Sequence, residues 1–135
     1  MNENHIEGLT TIASSFGPKE TMDRLEAEIR GKGMTVFARI DHAGGAAEAG
    51  LELRPTELII FGNARGGTPL MHSVQTVGID LPLKALVWED TAGETWISYN
   101  KPRWIAQRHS VANAEPVVSK MAAALSAMSK AAANS

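Results

Sequence analysis

The chain has 135 residues, 44% of them hydrophobic, which is enough for one core and short of two, so a single domain over residues 1–135 is expected. Thirteen basic against fifteen acidic side chains give a formal charge of −2 and a pI near 6.1, which excludes a protein that follows a phosphate backbone by bulk charge, and nucleic acid is not expected as a partner. With no cysteine there is no disulfide framework, no thiolate nucleophile and no Cys-based zinc site, while no apolar run approaches the roughly 20 residues that span a bilayer.

The N-terminus, MNENHIEG, is polar and acidic where a leader would be basic and then apolar. A cytoplasmic protein with no membrane partner is therefore expected. Gly8 to Ser14 carries β-branched residues with Leu9 and Ile12 and reads as a first strand. Between Ser15 and Lys32, Met22, Leu25 and Ile29 recur at helical spacing with charged residues mostly opposite, and Gly31 and Gly33 close this amphipathic helix. Met34 to Ile40 alternates Val36, Ala38 and Ile40 against Thr35, Phe37 and Arg39, the pattern of a strand with one face in the core. Asp41 is placed to cap a short helix from His42 to Ala49, ended by Gly50.

The stretch GLELRPTELIIFGNARGGTPLM, Gly50 to Met71, holds the centre of the chain. Glu57 to Phe61 is expected as a strand, Gly62 to Gly67 as a flexible loop, and Thr68-Pro69 as N-cap and first residue of a helix running to about Val77. Such a junction aims backbone N–H groups and the positive end of a helix dipole at one point, where an anion could be held. Leu83 to Trp88 and Thr95 to Tyr99 flank EDTAGE and predict a hairpin. A short helix starts at Pro102, and a last one at Pro116 aligns Val118, Met121, Leu125 and Met128. The core is expected over about residues 8–129, with residues 130–135 frayed.

The resulting order, β-α-β4-α with short helices in the connections, favours an α+β fold: an antiparallel sheet with helices on one face. The other face is left bare, with Phe37, Trp88, Trp96 and Tyr99 as its candidate aromatic residues, and a two-fold homodimer would cover it.

Asp41-His42, Gly50-Leu51-x-Leu-Arg54-Pro55-Thr56-x-Leu58, Ile-Phe61-Gly62-Asn63, Gly67-Thr68-Pro69-Leu70-Met71 and Leu81-Pro82-Leu83-Lys84 together resemble the domain of unknown function 302 family. The resemblance runs from about Gly8 to His109 and on through the final helix. It implies a fold like that of the TATA-binding protein, a homodimer, and no activity. A fold shared with a DNA-binding protein is no warrant for DNA binding.

Gly62 to Thr68 has the spacing of a phosphate loop but Thr68 where the lysine of GxxxxGK[ST] belongs, so nucleotide hydrolysis is not expected. Arg65, with Asn63, Gly67 and Thr68, could hold the carboxylate or phosphate of a small ligand, or the segment could be only a capped turn. Arg54 could reach the same ligand or pair with Glu52 or Glu57. Lys84 falls on the strand face of Leu86 and Trp88, where it snorkels, meets a carboxylate or serves as a low-pKa amine. Asp41 beside His42 admits a general acid/base pair or, more plainly, a helix cap and a first-turn residue. The four histidines fall in no metal-binding spacing, so no metal or cofactor is expected.

The leading expectation is a non-catalytic homodimeric domain that binds a small anionic or amphipathic ligand near the 62–68 loop. An enzyme using His42 with Asp41, and a purely structural or protein-interaction module, are the alternatives.

Overall fold

The computed structural model describes residues 5–135. Residues 1–4, on which part of the leader reading falls, lie outside the described residues. In chain order the elements are β1 (Leu9–Ser14), α1 (Pro18–Gly31), β2 (Thr35–Asp41), α2 (His42–Glu48), β3 (Thr56–Gly62), α3 (Ala64–Ser73), a 3-10 helix (Gln75–Asp80), β4 (Leu83–Glu89), β5 (Thr95–Asn100), α4 (Pro102–Arg108) and α5 (Glu115–Ala133). No helix among the described residues is long and apolar enough to cross a membrane.

The fold is α+β. Five strands form one antiparallel sheet in the order β1-β5-β4-β3-β2, so the first strand returns to pair with the last and the central stretch runs beside β2 and β4. Strand alternation sends Ile59, Phe61, Ala85, Val87, Ile97 and Tyr99 to one face, where all are buried. There they meet Met22, Leu25 and Ile29 of α1 and Leu125 and Met128 of α5, the apolar stripes that the helical spacing marked out. The opposite face carries Leu58, Ile60, Leu86, Trp88 and Trp96, all half-buried, and Ile40, which is exposed. The hairpin pairs Trp88 with Trp96, their rings stacked with centroids 6.2 Å apart.

Four expectations are corrected by the structure. The glycine loop is the first turn of α3: Asn63 is its N-cap, its side-chain oxygen accepting the Gly66 N–H at 2.8 Å, and Pro69 lies inside the helix. Thr68 is therefore a helical residue and caps nothing. Asparagine is as good a cap as threonine and stands five residues earlier, so the helix begins at the first residue able to satisfy its orphan donors.

The second correction concerns β2, where a bulge falls between Val36 and Ala38. Val36 pairs with core-facing Phe61, whereas Ala38 and Ile40 pair with Ile60 and Leu58 of the opposite face. The extra residue of a bulge breaks the two-residue period, so Val36, Ala38 and Ile40 do not share a face, and Phe37 is left at the break, 57% exposed. Third, Tyr99 leaves the set of bare-face aromatics because its register puts it beside Ala85 in the core. Burial pushes its phenol pKa up, against a hydrogen bond with Thr10.

Fourth, the C-terminus does not fray as far as expected, since α5 continues to Ala133 with Ala132 and Ala133 fully buried. The Arg24 guanidinium donates to the carbonyl oxygens of Ala131, Ala132 and Asn134, and Ser15 N–H donates to Ala133 O at 2.7 Å. A last turn whose free carbonyls find donors at this distance in sequence is held by tertiary contacts that its own composition does not display.

Candidate functional site

Where β3 ends, Gly62 and Asn63 turn the chain from the sheet into α3, and a cavity of about 770 Å³ opens beside this junction. Such a volume is in the range of small-molecule sites, about 300–1,000 Å³. Its apolar wall is made by Met34 ahead of β2, Met71 of α3, Leu81 and Leu83 at the start of β4, and Val117 and Met121 of α5. Phe37 is also at the cavity, because the bulge in β2 re-aims it there.

Glycine lets α3 come close to this wall. A Cβ at Gly66 would stand 3.4 Å from Met121 Cε, and one at Gly67 3.4 Å from Leu81 Cδ1, so any larger residue at either place would take up cavity space. The polar groups cluster at the helix start. Asn63 Oδ1 is used by Gly66 N–H, which leaves its amide NH₂ and, by the nature of a helix end, the N–H groups of Ala64 and Arg65 without intrahelical acceptors. Arg65 and Lys120 bring two positive charges to the lining, and among the described residues no carboxylate lines it. Both side chains are exposed and neither forms a salt bridge among the described residues.

Of the residues singled out in the sequence, Asn63, Arg65, Gly67 and Thr68 line this cavity. His42, Asp41, Arg54 and Lys84 do not. Asp41 is the N-cap of α2, accepting the Gly44 N–H at 2.9 Å, and His42 is the exposed first residue of that helix. Arg54 is exposed and close enough to Asp90, in the β4–β5 turn, to help lower that carboxyl's pKa after larger contributions from Trp96 and Glu94. Glu57, one of its expected partners, instead accepts from Arg39 Nη2 at 2.8 Å and Arg39 Nε at 2.9 Å. Lys84 snorkels along its strand, Nζ donating to Pro82 O at 3.0 Å.

Beyond Gly62–Thr68, no lining residue was placed here by motif, Phe37, Lys120 and Met121 among them. Helical spacing did mark Met121 as apolar, but nothing in a single sequence marks which neighbour α5 lies against. A second polar cluster also escaped. His109 Nε2 is 2.6 Å from Asp80 Oδ2 and its Nδ1 is 3.0 Å from Thr76 Oγ1, with Arg108 donating to both Asp80 oxygens. Burial pushes the Asp80 carboxyl up, and the hydrogen bonds from His109 and Arg108 outweigh it, so its pKa is lowered. Thr76 does not line the cavity, and the cluster ties the 3-10 helix to the C-terminal end of α4. Among the described residues no group of three or more His, Asp or Glu is placed to hold a metal ion.

Comparison with known proteins gives one family and few functional words. Residues 10–128 match the family described as Domain of unknown function DUF302. Three curated relatives, two named fluoride-specific ion channel FluC 1, from Brucella suis and Brucella abortus, and one named FluC 2, from Brucella melitensis, are each 50% identical over 113 residues. The match covers 84% of this chain but only 42–44% of theirs, so the chain spans less than half the length of these relatives. A crystal structure of an uncharacterized conserved DUF302 protein from Bacillus stearothermophilus superposes with a TM-score of 0.84 over 94% of this chain and 99% of that one, at 22% identity. That likeness is one of fold.

Proposed function

We propose, from the premise that the chain belongs to the DUF302 family, that it is a non-catalytic binding domain for a small anionic ligand, held at the start of α3 and working as a two-fold homodimer. The observation that carries the reading is the charge of the cavity: Arg65 and Lys120 line it, and among the described residues no carboxylate lines it and no salt bridge neutralises either cation. Two unpaired cations beside the open N–H groups of a helix start favour an anion by charge and by hydrogen bonding at once.

The acid–base reading of His42 gains no support from its place. Asp41 uses a carboxylate oxygen as a cap, His42 is exposed, and neither touches the cavity. Ion conduction, named in the curated relatives, is not carried over to this chain: it spans less than half of their length, and no described helix is long and apolar enough to cross a membrane.

Thermal shift with a panel of phosphates and carboxylates tests the proposal. A ligand present at about 100 times its Kd stabilises the folded protein by about 2.7 kcal/mol, and Arg65→Ala is expected to lose most of that shift while keeping the melting temperature of the free protein, because an exposed, unpaired charge adds little stability. Equal responses of wild type and variant to every compound would rule out the anion site.

A further inference from the structure

We infer that the ligand's body is a flexible aliphatic chain, so that the site takes an amphipathic anion: one carboxylate or phosphate monoester head at the start of α3 and a hydrocarbon tail along the methionine wall. This rests on the anion reading above and adds to it the chemistry of the rest of the cavity.

The polar and apolar parts of the lining are segregated. Asn63, Arg65 and Thr68 come from one short stretch, with Lys120 from α5, whereas Met34 before β2, Leu81 and Leu83 at β4, and Val117, Met121 and Ala124 of α5 carry no hydrogen-bonding groups on their side chains. A nucleotide or sugar would need donors and acceptors spread along its length, and the one side-chain amide among the described lining residues, Asn63, already has its Oδ1 engaged by Gly66 N–H. What the wall offers is Met34, Met71 and Met121, three unbranched and polarisable side chains that adapt to a tail of many rotamers. A headgroup anion alone would leave that wall unused.

The test is isothermal titration of the intact chain with n-alkyl carboxylates from four to twelve carbons, all below their micelle concentrations, alongside acetate, inorganic phosphate, decyl phosphate and 1-decanol. Each added methylene is expected to lower Kd about fourfold until the tail fills the cavity. Decanoate or decyl phosphate, whichever head the site prefers, is expected to bind at least about tenfold more tightly than 1-decanol, and Lys120→Ala to remove most of that advantage. Ala124→Leu, at a lining position of α5 where leucine is a good helix former, is expected to shorten the best tail without lowering the melting temperature.

Acetate or phosphate binding as tightly as decanoate would overturn the aliphatic inference and leave the anion site standing. Decanol binding as tightly as both long-chain anions would overturn the headgroup, and with it the anion reading. Binding of none of the compounds would overturn both.

Discussion

Gly8 shows how one residue can be fixed by a contact that its neighbours in sequence give no hint of. Its φ is +80°, and a Cβ built there would lie 2.3 Å from the Trp104 ring. Gly8 O also accepts the Lys101 N–H at 2.7 Å, so the entry to β1 is pinned against the start of α4. Gly8→Ala is expected to cost at least about 2 kcal/mol, combining the left-handed backbone penalty with the overlap on Trp104. Denaturant unfolding measures it: a loss of about 1 kcal/mol would mean that the ring moves aside and only the backbone penalty remains, and a loss below about 0.5 kcal/mol would overturn both parts. In the sequence Gly8 is one of 12 glycines, and its role depends on a tryptophan 96 positions away. The caps were more legible: Asp41 and Gly50 act where local rules put them, because a cap needs only its own next few residues.

At the scale of elements, the strands and long helices were legible because their apolar periods are local, whereas the start of α3 was not. Two glycines and a proline within ARGGTPL argue for a loop by propensity, and packing against α5 and the 3-10 helix overrides them. The junction of β2, β3 and α1 is bound by a different device. Arg39, on the helix-covered side of β2, donates to Glu57 of β3 and to Asp23 and Glu26 of α1, one guanidinium among three carboxylates. Lys19 and then Arg39 hold the Asp23 carboxyl below its ordinary pKa, and Arg39 and then Arg30 do the same for Glu26. A carboxylate whose folded pKa is depressed contributes stability that is fully present above its unfolded value, near 4, and is lost as pH falls through the folded value. Arg39→Met is therefore expected to cost about 1–2 kcal/mol at pH 7, the exposure of the cluster keeping it modest. The gap from wild type should shrink below about pH 4 as the carboxylates protonate. Unfolding curves at pH 7 and pH 3 decide it, and a gap of the same size at both would show that Arg39 acts through packing alone.

For the whole molecule the open question is the uncovered face of the sheet. Helices α1 and α5 spend their apolar stripes on the core face, while Leu58, Ile60, Leu86 and the stacked Trp88–Trp96 pair lie on the other with exposed Ile40. The indole N–H groups are satisfied in place, Trp88 Nε1 donating to Ser98 Oγ and Trp96 Nε1 to Asp90 Oδ2, both at 2.9 Å, so a partner would meet their rings without having to supply acceptors. A two-fold copy is the economical cover, because one self-complementary patch then serves both sides. A standard interface removes about 800 Å² per partner, and the loss of translational and rotational freedom absorbs much of the gain, so area makes the dimer feasible without setting its affinity. Leu86 pairs with Leu58 and Ser98 in the middle strand of the face, and Leu86→Lys would place a desolvated charge in each half of the interface. Light scattering at micromolar concentration should give a mass near twice the 14.4 kDa of the chain for wild type and near the chain mass for Leu86→Lys. The circular dichroism of the two should match, because Leu86 lies on the face that α1 and α5 leave open. A wild-type mass near 14.4 kDa would remove the dimer and leave the cavity, built entirely within one chain, unaffected.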